Sequence, residues 1–171
     1  MTMEGLYTIG HSNHEMEAFL CLLKDFSVQV VVDVRSAPYS RYVPQYNKRE
    51  LEQALIGHGF QYIFMGDAIG GKPSDPALHD DQGRVQYDKL AQTAQFQKGI
   101  DRLEKGLVAG WRIALLCAEE DPEKCHRHWL IAKELEWSRK IAVWHLRADG
   151  RKVRAKELLA GTCSQLNLFA K

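Results

Sequence analysis

The sequence lacks the features that mark several large classes of protein. No apolar run is long enough to cross a bilayer, and the start of the chain has no basic segment followed by an apolar stretch. The net charge is only +1, so no global field indicates nucleic acid or membrane as a partner. No internal repeat is present. These absences predict a cytoplasmic protein with no membrane partner.

Cysteine is also sparse, and no C-x-x-C pair occurs. A chain of 171 residues, 45% of them hydrophobic, can bury a core without disulfide bonds, so we expect reduced thiols. The same size predicts a single α/β domain over residues 1–150, followed by a basic segment and a flexible C-terminal tail over 151–171. The cysteines are Cys21, Cys117, Cys125 and Cys163.

Short apolar runs alternate with stretches of helical spacing, which is typical of α/β proteins. Strands are predicted at residues 6–9, 28–34, 60–65, 111–117 and 141–146. Helices are predicted over 15–26, 48–58, 87–105, 123–139 and 151–161, and a long loop from Gly70 to about Gly83. The expected fold is a three-layer α/β structure with a mostly parallel sheet of about five strands and helices on both faces.

Polar and nucleophilic residues follow three of the predicted strands. In open α/β sheets the ligand crevice lies beyond the carboxyl ends of the strands, so these residues are expected to meet at one edge. They are His11 and Ser12 after the first strand, Asp33, Arg35, Ser40 and Arg41 after the second, and Cys117, Glu119, Glu120, Cys125, His126 and Arg127 after the fourth.

The same residues carry a resemblance to a known family. The blocks are Thr8-Ile9-Gly10-His11-Ser12, Val32-Asp33-Val34-Arg35 with Pro38 and Ser40-Arg41, Gly70-Gly71, and Leu116-Cys117-Ala118-Glu119 with Cys125-His126-Arg127. Together they resemble the signature of the family catalogued as domain of unknown function 488, over roughly residues 5–150. That family has no settled reaction, so the resemblance implies a fold and leaves the activity and any cofactor open.

Cys125 is the leading candidate nucleophile. It lies beside the expected start of a helix, where backbone amides stabilise a thiolate, and His126 and Arg127 add cationic neighbours. Cys117, Glu119 and Asp33 complete the candidate catalytic set, the two carboxylates as general bases or, alternatively, as metal ligands. The alternative is that both cysteines are small packing residues, since free cysteine is among the most buried residue types.

Arginines at the same edge predict a phosphate pocket. Guanidinium groups form paired hydrogen bonds to phosphate oxygens, and Arg35 directly follows a buried strand. The alternative is that Arg35 and Asp33 form an internal ion pair that holds the loops together. The predicted substrate-binding residues are His11, Ser12, Arg35, Ser40, Arg41, His126 and Arg127.

Other chemistries fit the sequence less well. Cys117, Cys125, His126 and His128 do not have a standard zinc spacing, so no metal ligands are assigned. Residues 31–35 weakly resemble a rhodanese strand, but Cys117 is not followed by the arginine that rhodaneses and cysteine phosphatases use in their anion loops.

The C-terminal tail contains Gln165-Leu166-Asn167-Leu168-Phe169. This pentapeptide resembles the motif by which bacterial DNA-metabolism proteins bind the replication sliding clamp, and it departs only at Asn167. Gln165 would bind a polar rim, while Leu166, Leu168 and Phe169 would fill an apolar groove. The alternative is that the tail packs back on the domain.

These observations lead to three hypotheses. The first is an enzyme or enzyme-like protein of DNA metabolism, associated with repair, that binds a phosphate-bearing substrate and docks on the sliding clamp. The second is a non-catalytic adaptor that binds nucleic acid or a nucleotide, and the third is a small-molecule thiol enzyme such as a sulfurtransferase. A basic cluster upstream of the tail could lie along DNA or could be a solvated face: Arg147, Arg151, Lys152, Arg154 and Lys156.

Overall fold

A computed structural model of the protein describes residues 5–160. The strands are β1 Leu6–Gly10, β2 Val30–Asp33, β3 Gln61–Phe64, β4 Ile113–Cys117, β5 Trp144–Leu146 and β6 Lys152–Arg154. They form one sheet in the order β3-β2-β4-β1-β5-β6. Neighbouring strands are parallel except for β5 and β6, which are antiparallel. The predicted mostly parallel sheet is therefore confirmed.

Helices connect these strands. They are α1 Met16–Asp25, α2 Lys48–Gly57, α3 Gly66–Ile69, α4 Tyr87–Ala91, α5 Ala94–Val108 and α6 Lys133–Trp137. Short 3-10 turns lie at Pro44–Tyr46, Pro76–Leu78 and Pro122–Lys124, and a π-helical segment, Arg127–Ala132, leads directly into α6. Among residues 5–160, no helix combines the length and the apolar character that crossing a membrane requires.

The sheet lies between two helical layers, each with its own apolar core. Phe19 and Leu23 of α1 and Leu51 of α2 pack on one face of the sheet. Phe96 and Ile100 of α5 pack on the other face, together with the segment that follows β4. Full burial of such side chains contributes about 1.5–3 kcal/mol each. The three-layer α/β fold is confirmed.

The sheet has one strand more than the five that the sequence predicts. Lys152–Arg154 was predicted as part of a helix over 151–161, but it pairs with β5, and the helical conformation covers only 155–160. The pairing satisfies backbone groups on the edge of β5 that would otherwise be unpaired. Arg154 reinforces it, because its Nε donates to Glu136 across 2.7 Å.

Two further segments differ from the predictions. The helix predicted over 123–139 is divided into the 3-10 turn, the π-helical segment and α6, with Cys125 in extended backbone between the first two. The loop predicted after Gly70 contains the turn Pro76–Leu78 and a bridge between His79 and Val85. Its first residues lie beside the carboxyl end of β4, where the candidate site forms.

Candidate thiol site at the carboxyl ends of the strands

The loops after β2 and β4 and the start of the loop after α3 enclose a pocket of about 260 Å³. The helices that follow β1 and β2 cover one face of the sheet, and the segment that follows β4 covers the other. Connections that part in this way open a crevice at the carboxyl edge. The lining includes Arg35, Lys72, Cys117, Glu119, Lys124, Cys125 and His126. Two grooves of about 470 Å³ lie elsewhere, one beside α4 and α6 and one beside α5, but neither is lined by a cysteine.

The loop that follows β4 is held against the end of β1. A Cβ atom at Gly10 would lie 1.7 Å from the carbonyl oxygen of Glu119, so only glycine permits this approach. Arg127 is fully buried, and its guanidinium donates to the carbonyl oxygens of Glu119 and Glu120 and to Oγ1 of Thr8. Arg127 therefore positions the loop, and its side chain is not among those that line the pocket.

Two thiols and an imidazole meet at the pocket. Cys117 is the last residue of β4, and Cys125 precedes the π-helical segment, so the loop between them returns the chain to the same place. The Sγ atoms of Cys117 and Cys125 lie 3.8 Å and 3.7 Å from Nδ1 of His126. Both cysteines are buried, with 7% and 6% of their surface exposed. The two cysteines are therefore buried, as packing residues would be, and they also share one contact with His126 at the pocket.

The orientation of His126 follows from its other ring nitrogen. Nε2 lies 3.1 Å from the carbonyl oxygen of Val34, which can only accept a hydrogen bond. Nε2 must therefore carry a proton and donate it. Nδ1 is left facing the two sulfur atoms, where it can accept a proton from a thiol. His126 thus fits the role of a general base for a neighbouring cysteine.

The surroundings of the two thiols separate their acidities. A hydrogen bond from the Cys117 thiol lowers the pKa of Cys125 to about 6, with the Arg127 charge adding to the effect and burial opposing it. The same bond and burial raise the pKa of Cys117 to about 12. Cys125 is therefore the thiolate of the pair, and Cys117 is its hydrogen-bond donor.

Arg35 reaches the pocket from an internal ion pair. Its Nε and Nη2 donate to Oδ1 and Oδ2 of Asp33 at 2.9 Å and 2.7 Å, and its Nη1 lies 3.1 Å from Nε2 of His11. Tyr62 donates a further hydrogen bond to Asp33. Burial lowers the pKa of His11 to about 4, so His11 is neutral and accepts from Arg35. The ion-pair alternative is realised here, while the guanidinium still lines the pocket.

Several residues predicted at the site are located away from the pocket lining. Ser12 hydrogen-bonds to Asn13, and the exposed Arg41 donates to the hydroxyl of Tyr42. Ser40 accepts a hydrogen bond from the backbone of Tyr42. His128 does not join the thiols, because its Nδ1 lies 2.9 Å from Nε2 of His145. Asp33 is completely buried and holds Arg35 and Tyr62. The structure therefore gathers Arg35, Cys117, Glu119, Cys125 and His126.

The pocket also contains residues that the sequence did not single out. Lys72 and Lys124 lie in the lining, and Tyr87 faces them from the start of α4. Gly71 lies against His126, since a Cβ atom there would be 2.5 Å from the imidazole ring. The Gly70-Gly71 pair was the available signal for Lys72, because consecutive glycines often mark a close backbone approach. Nothing local marks Lys124 or Tyr87.

The basic cluster is largely paired with acids. Arg147 forms an ion pair with Glu120, Arg151 with Asp149, and Arg154 with Glu136, while Lys152 and Lys156 lie over the rings of Trp144 and Trp137. These pairs reduce the charge available for a phosphate backbone. The predicted clamp-binding residues Gln165, Leu166, Leu168 and Phe169 lie outside the described residues.

The comparisons with known proteins agree with the resemblance seen in the sequence. Searches among curated proteins and among solved structures found no match. The family described as domain of unknown function DUF488 matches residues 15–133. This range includes β2, β4 and the thiol cluster, which consists of Cys117, Cys125 and His126. Because the match covers well over half of the 171 residues, the chain belongs to the DUF488 family.

Proposed function

We propose that the protein is an enzyme whose reactive centre is the group Cys117, Cys125 and His126, acting on a phosphate-bearing substrate in DNA metabolism. The observation that carries this proposal is the convergence of both sulfur atoms on Nδ1 of His126 at one pocket. A thiolate is the form of cysteine that reacts with electrophiles and with metals. A cytoplasmic location would keep both thiols reduced.

The roles within the group follow from its geometry. Cys125 attacks an electrophilic atom of the substrate, a bond from Sγ to that atom forms, and the bond to the leaving group breaks with its electron pair. His126 takes the thiol proton at Nδ1 and returns it to the leaving group. Cys117 stabilises the thiolate by hydrogen bonding. Glu119, exposed at the rim, is the remaining candidate acid or base.

An anionic substrate is supported by the charges around the pocket. Arg35, Lys72 and Lys124 line it, against the single carboxylate of Glu119. Two guanidinium N–H groups of Arg35 are left after its bonds to Asp33 and His11, and they are suited to phosphate oxygens. Asp33 and His11 then act as positioning residues for Arg35.

Alkylation kinetics test the nucleophile. The metal-free full chain, with Cys21 and Cys163 replaced by serine, is treated with iodoacetamide at neutral pH. We expect Cys125 to react faster than an unperturbed cysteine, and phosphate-bearing ligands to protect it. The variant Cys117→Ala should slow the reaction, because it removes the hydrogen bond to the thiolate. Ordinary reactivity at Cys125, unaffected by Cys117→Ala, would contradict the proposal.

A nucleic-acid-binding adaptor is the second candidate, and exposed aromatic residues favour it. Tyr39 and Tyr42 are 75% and 78% exposed, on the loop that carries Ser36 and Ala37 of the pocket. The guanidinium of Arg41 lies 4.8 Å from the centre of the Tyr42 ring. Aromatic rings beside a cation can stack on the bases of single strands, each worth about 1–3 kcal/mol.

Oligonucleotide binding distinguishes the two candidates. Fluorescence anisotropy with a labelled single-stranded DNA is compared for wild type and Tyr39→Ala, Tyr42→Ala. Trp111→Ala serves as the control, because Trp111 is exposed before β4, at the opposite end of the strand from Cys117. Weaker binding in the tyrosine variant alone supports nucleic acid as the ligand. If Cys125→Ser then leaves every DNA-dependent function intact, the adaptor is favoured over the enzyme.

Docking on the sliding clamp is proposed from the sequence of residues 165–169. The test measures binding of the full chain to a bacterial sliding clamp, with Leu168→Ala, Phe169→Ala as the variant and Ser164→Ala as the control. Sub-millimolar binding that only the double variant abolishes would place the protein at DNA. Absence of binding by the intact chain would exclude the clamp as a partner. Small thiol-reactive or phosphate-bearing ligands would then become the better substrates to examine.

A further inference from the structure

The thiol cluster has the dimensions of a metal site. In a tetrahedral zinc site with Zn–S bonds of about 2.3 Å and Zn–N bonds of about 2.0–2.1 Å, a sulfur and a nitrogen ligand lie about 3.6 Å apart. Nδ1 of His126 lies 3.7 Å and 3.8 Å from the sulfur atoms of Cys125 and Cys117. All three ligand atoms lie within 4.8 Å of one another. Only small side-chain adjustments would bring them onto one ion.

The histidine is also prepared as a ligand. Metal-binding histidines usually donate the second ring N–H to a carbonyl or carboxylate, which fixes the tautomer and the plane of the ring. Nε2 of His126 makes this bond to the carbonyl oxygen of Val34. Gly71 packs against the other side of the ring. The lone pair of Nδ1 is thereby directed at the two sulfurs before any ion binds.

Local sequence spacing does not predict this arrangement. Cys117 comes from the end of β4, whereas Cys125 and His126 are adjacent residues at the start of the next helical segment. The intervening loop is fixed by Arg127 through the carbonyl oxygens of Glu119 and Glu120. A strand end and a helix start thus supply the ligands, in place of the short paired spacings of zinc fingers.

We propose that Cys117, Cys125 and His126 bind one Zn²⁺ ion in a tetrahedral site whose fourth position opens into the pocket. The inference rests on the site of the proposed function and goes beyond it: an ion bound by both sulfurs and Nδ1 would leave neither a free thiolate nor a free base, and the ion would then supply the reactive group. All three ligands line the pocket, so water or an oxygen of an anionic substrate can reach the fourth position. Zinc sites with three protein ligands and one open position are typical of catalytic centres, including sites with two cysteines and one histidine. Binding releases to solvent any proton that the two thiols still hold, because both sulfurs bind as thiolates.

Cobalt substitution tests the ligand set directly. The full chain is freed of metal with a chelator under reducing conditions and titrated with Co²⁺, then with Zn²⁺ in competition. We expect one Co²⁺ per chain, a sulfur-to-cobalt charge-transfer band in the near ultraviolet, and intense visible bands of tetrahedral Co²⁺ that Zn²⁺ removes. Cys117→Ser, Cys125→Ser and His126→Gln should each weaken Zn²⁺ binding by more than the roughly 10- to 100-fold that loss of an outer-shell partner costs.

The control is Cys21→Ser, since Cys21 is exposed on α1 and is not among the residues that line the pocket. Circular dichroism of each variant separates loss of ligand from loss of fold, and the three independent ligand variants guard against one that unfolds. The proposal is overturned if wild type gives no tetrahedral spectrum, or if the spectrum survives in folded Cys117→Ser or Cys125→Ser. Rapid alkylation of Cys125 without metal binding would support the thiol nucleophile and overturn the zinc proposal. Zinc binding with ordinary alkylation kinetics in the metal-free chain would support the zinc site and overturn the thiol nucleophile.

Discussion

Nε2 of His126 lies 3.1 Å from the carbonyl oxygen of Val34, and this one bond determines which nitrogen faces the thiols. Val34 directly follows β2, whereas His126 lies in the segment that follows β4, so the bond also ties that segment to the end of β2. The structure therefore uses a backbone acceptor to hold the imidazole in one tautomer. Replacing His126 by glutamine or by asparagine tests the roles of the two ring nitrogens one at a time.

His126→Gln should retain the bond to Val34 and lose the group that faces the sulfurs, because the glutamine amide N–H can occupy the position of Nε2. Because Cys125 is already largely a thiolate at neutral pH, we expect alkylation in the metal-free chain to slow mainly below pH 6, where the thiol must give its proton to Nδ1 before it reacts. His126→Asn reaches only the position of Nδ1 and leaves the Val34 carbonyl unpaired, at a cost of about 1–3 kcal/mol in unfolding free energy. Rate and urea denaturation are measured on both. Equal rates in His126→Gln and wild type would refute the role of Nδ1.

The ion pair of Asp33 and Arg35 should dominate the stability of this edge. Asp33 is completely buried, and it accepts two side-chain hydrogen bonds from Arg35 and one from Tyr62. Asp33→Asn leaves the guanidinium without a counter-charge, which costs about 3–5 kcal/mol in buried pairs. Tyr62→Phe removes one bond to the carboxylate and should cost about 1.5–3 kcal/mol.

Chemical denaturation of the single variants and of Asp33→Asn, Arg35→Met measures the coupling. The double variant should lose less free energy than the sum of its single changes, since neither charge is then left alone in the interior. Strict additivity would mean that the two side chains do not stabilise each other. A loss below about 1 kcal/mol in Asp33→Asn would contradict the buried-pair argument.

Most of the fold could be predicted from the sequence because the signals are local. Val30, Val31 and Val32 are buried and apolar in succession, which is typical of a strand covered on both faces. β6 could not be predicted this way, because Lys152–Arg154 is a short edge strand, and its own three residues signal neither the pairing with β5 nor the bond from Arg154 to Glu136. Its local pattern is equally compatible with a helix.

The sequence predicted which residues follow the strands at the candidate site, but not how those residues are arranged. Topology indicated that Cys117, Cys125 and His126 would lie at one edge, and they do. Their mutual distances depend on Arg127, which looked like a phosphate ligand in the sequence but is fully buried and bonded to the loop backbone. Arg41 had the same appearance and is exposed beside Tyr42. Residue type alone does not distinguish an arginine that binds a ligand from one that supports a loop.

Gly71 should be essential for the position of His126. A methyl group there would lie 2.5 Å from the imidazole, so the ring or the loop must shift. We expect Gly71→Ala to reduce Cys125 reactivity by up to about a hundred-fold, the effect of a displacement near 1 Å. Gly57→Ala is the matched control, since nothing lies within 4 Å of its added methyl and it should stabilise α2 by roughly 0.5–1 kcal/mol. Normal alkylation in folded Gly71→Ala would show that the contact does not position the ring.

A chain of hydrogen bonds behind the site predicts how stability depends on pH. Oγ1 of Thr8 accepts a hydrogen bond from Nε of Arg127 and lies 2.7 Å from Nδ1 of His145, and Nε2 of His145 lies 2.9 Å from Nδ1 of His128. Burial lowers the pKa of His145 to about 2, with the charges of nearby cations adding to the effect. His145 is therefore neutral in the folded protein.

The sign of the effect follows from the unfolded chain, in which histidine has a pKa of about 6.5. Between that value and about 2, unfolded His145 gains a proton that folded His145 does not, so the stability it contributes is present above pH 6.5 and declines as the pH falls. Each histidine of this kind contributes a slope of about 1.4 kcal/mol per pH unit. Urea denaturation of wild type and His145→Gln from neutral pH to about pH 4 measures it. The variant should show a slope smaller by about one proton; parallel curves would mean that His145 takes up a proton in the folded state.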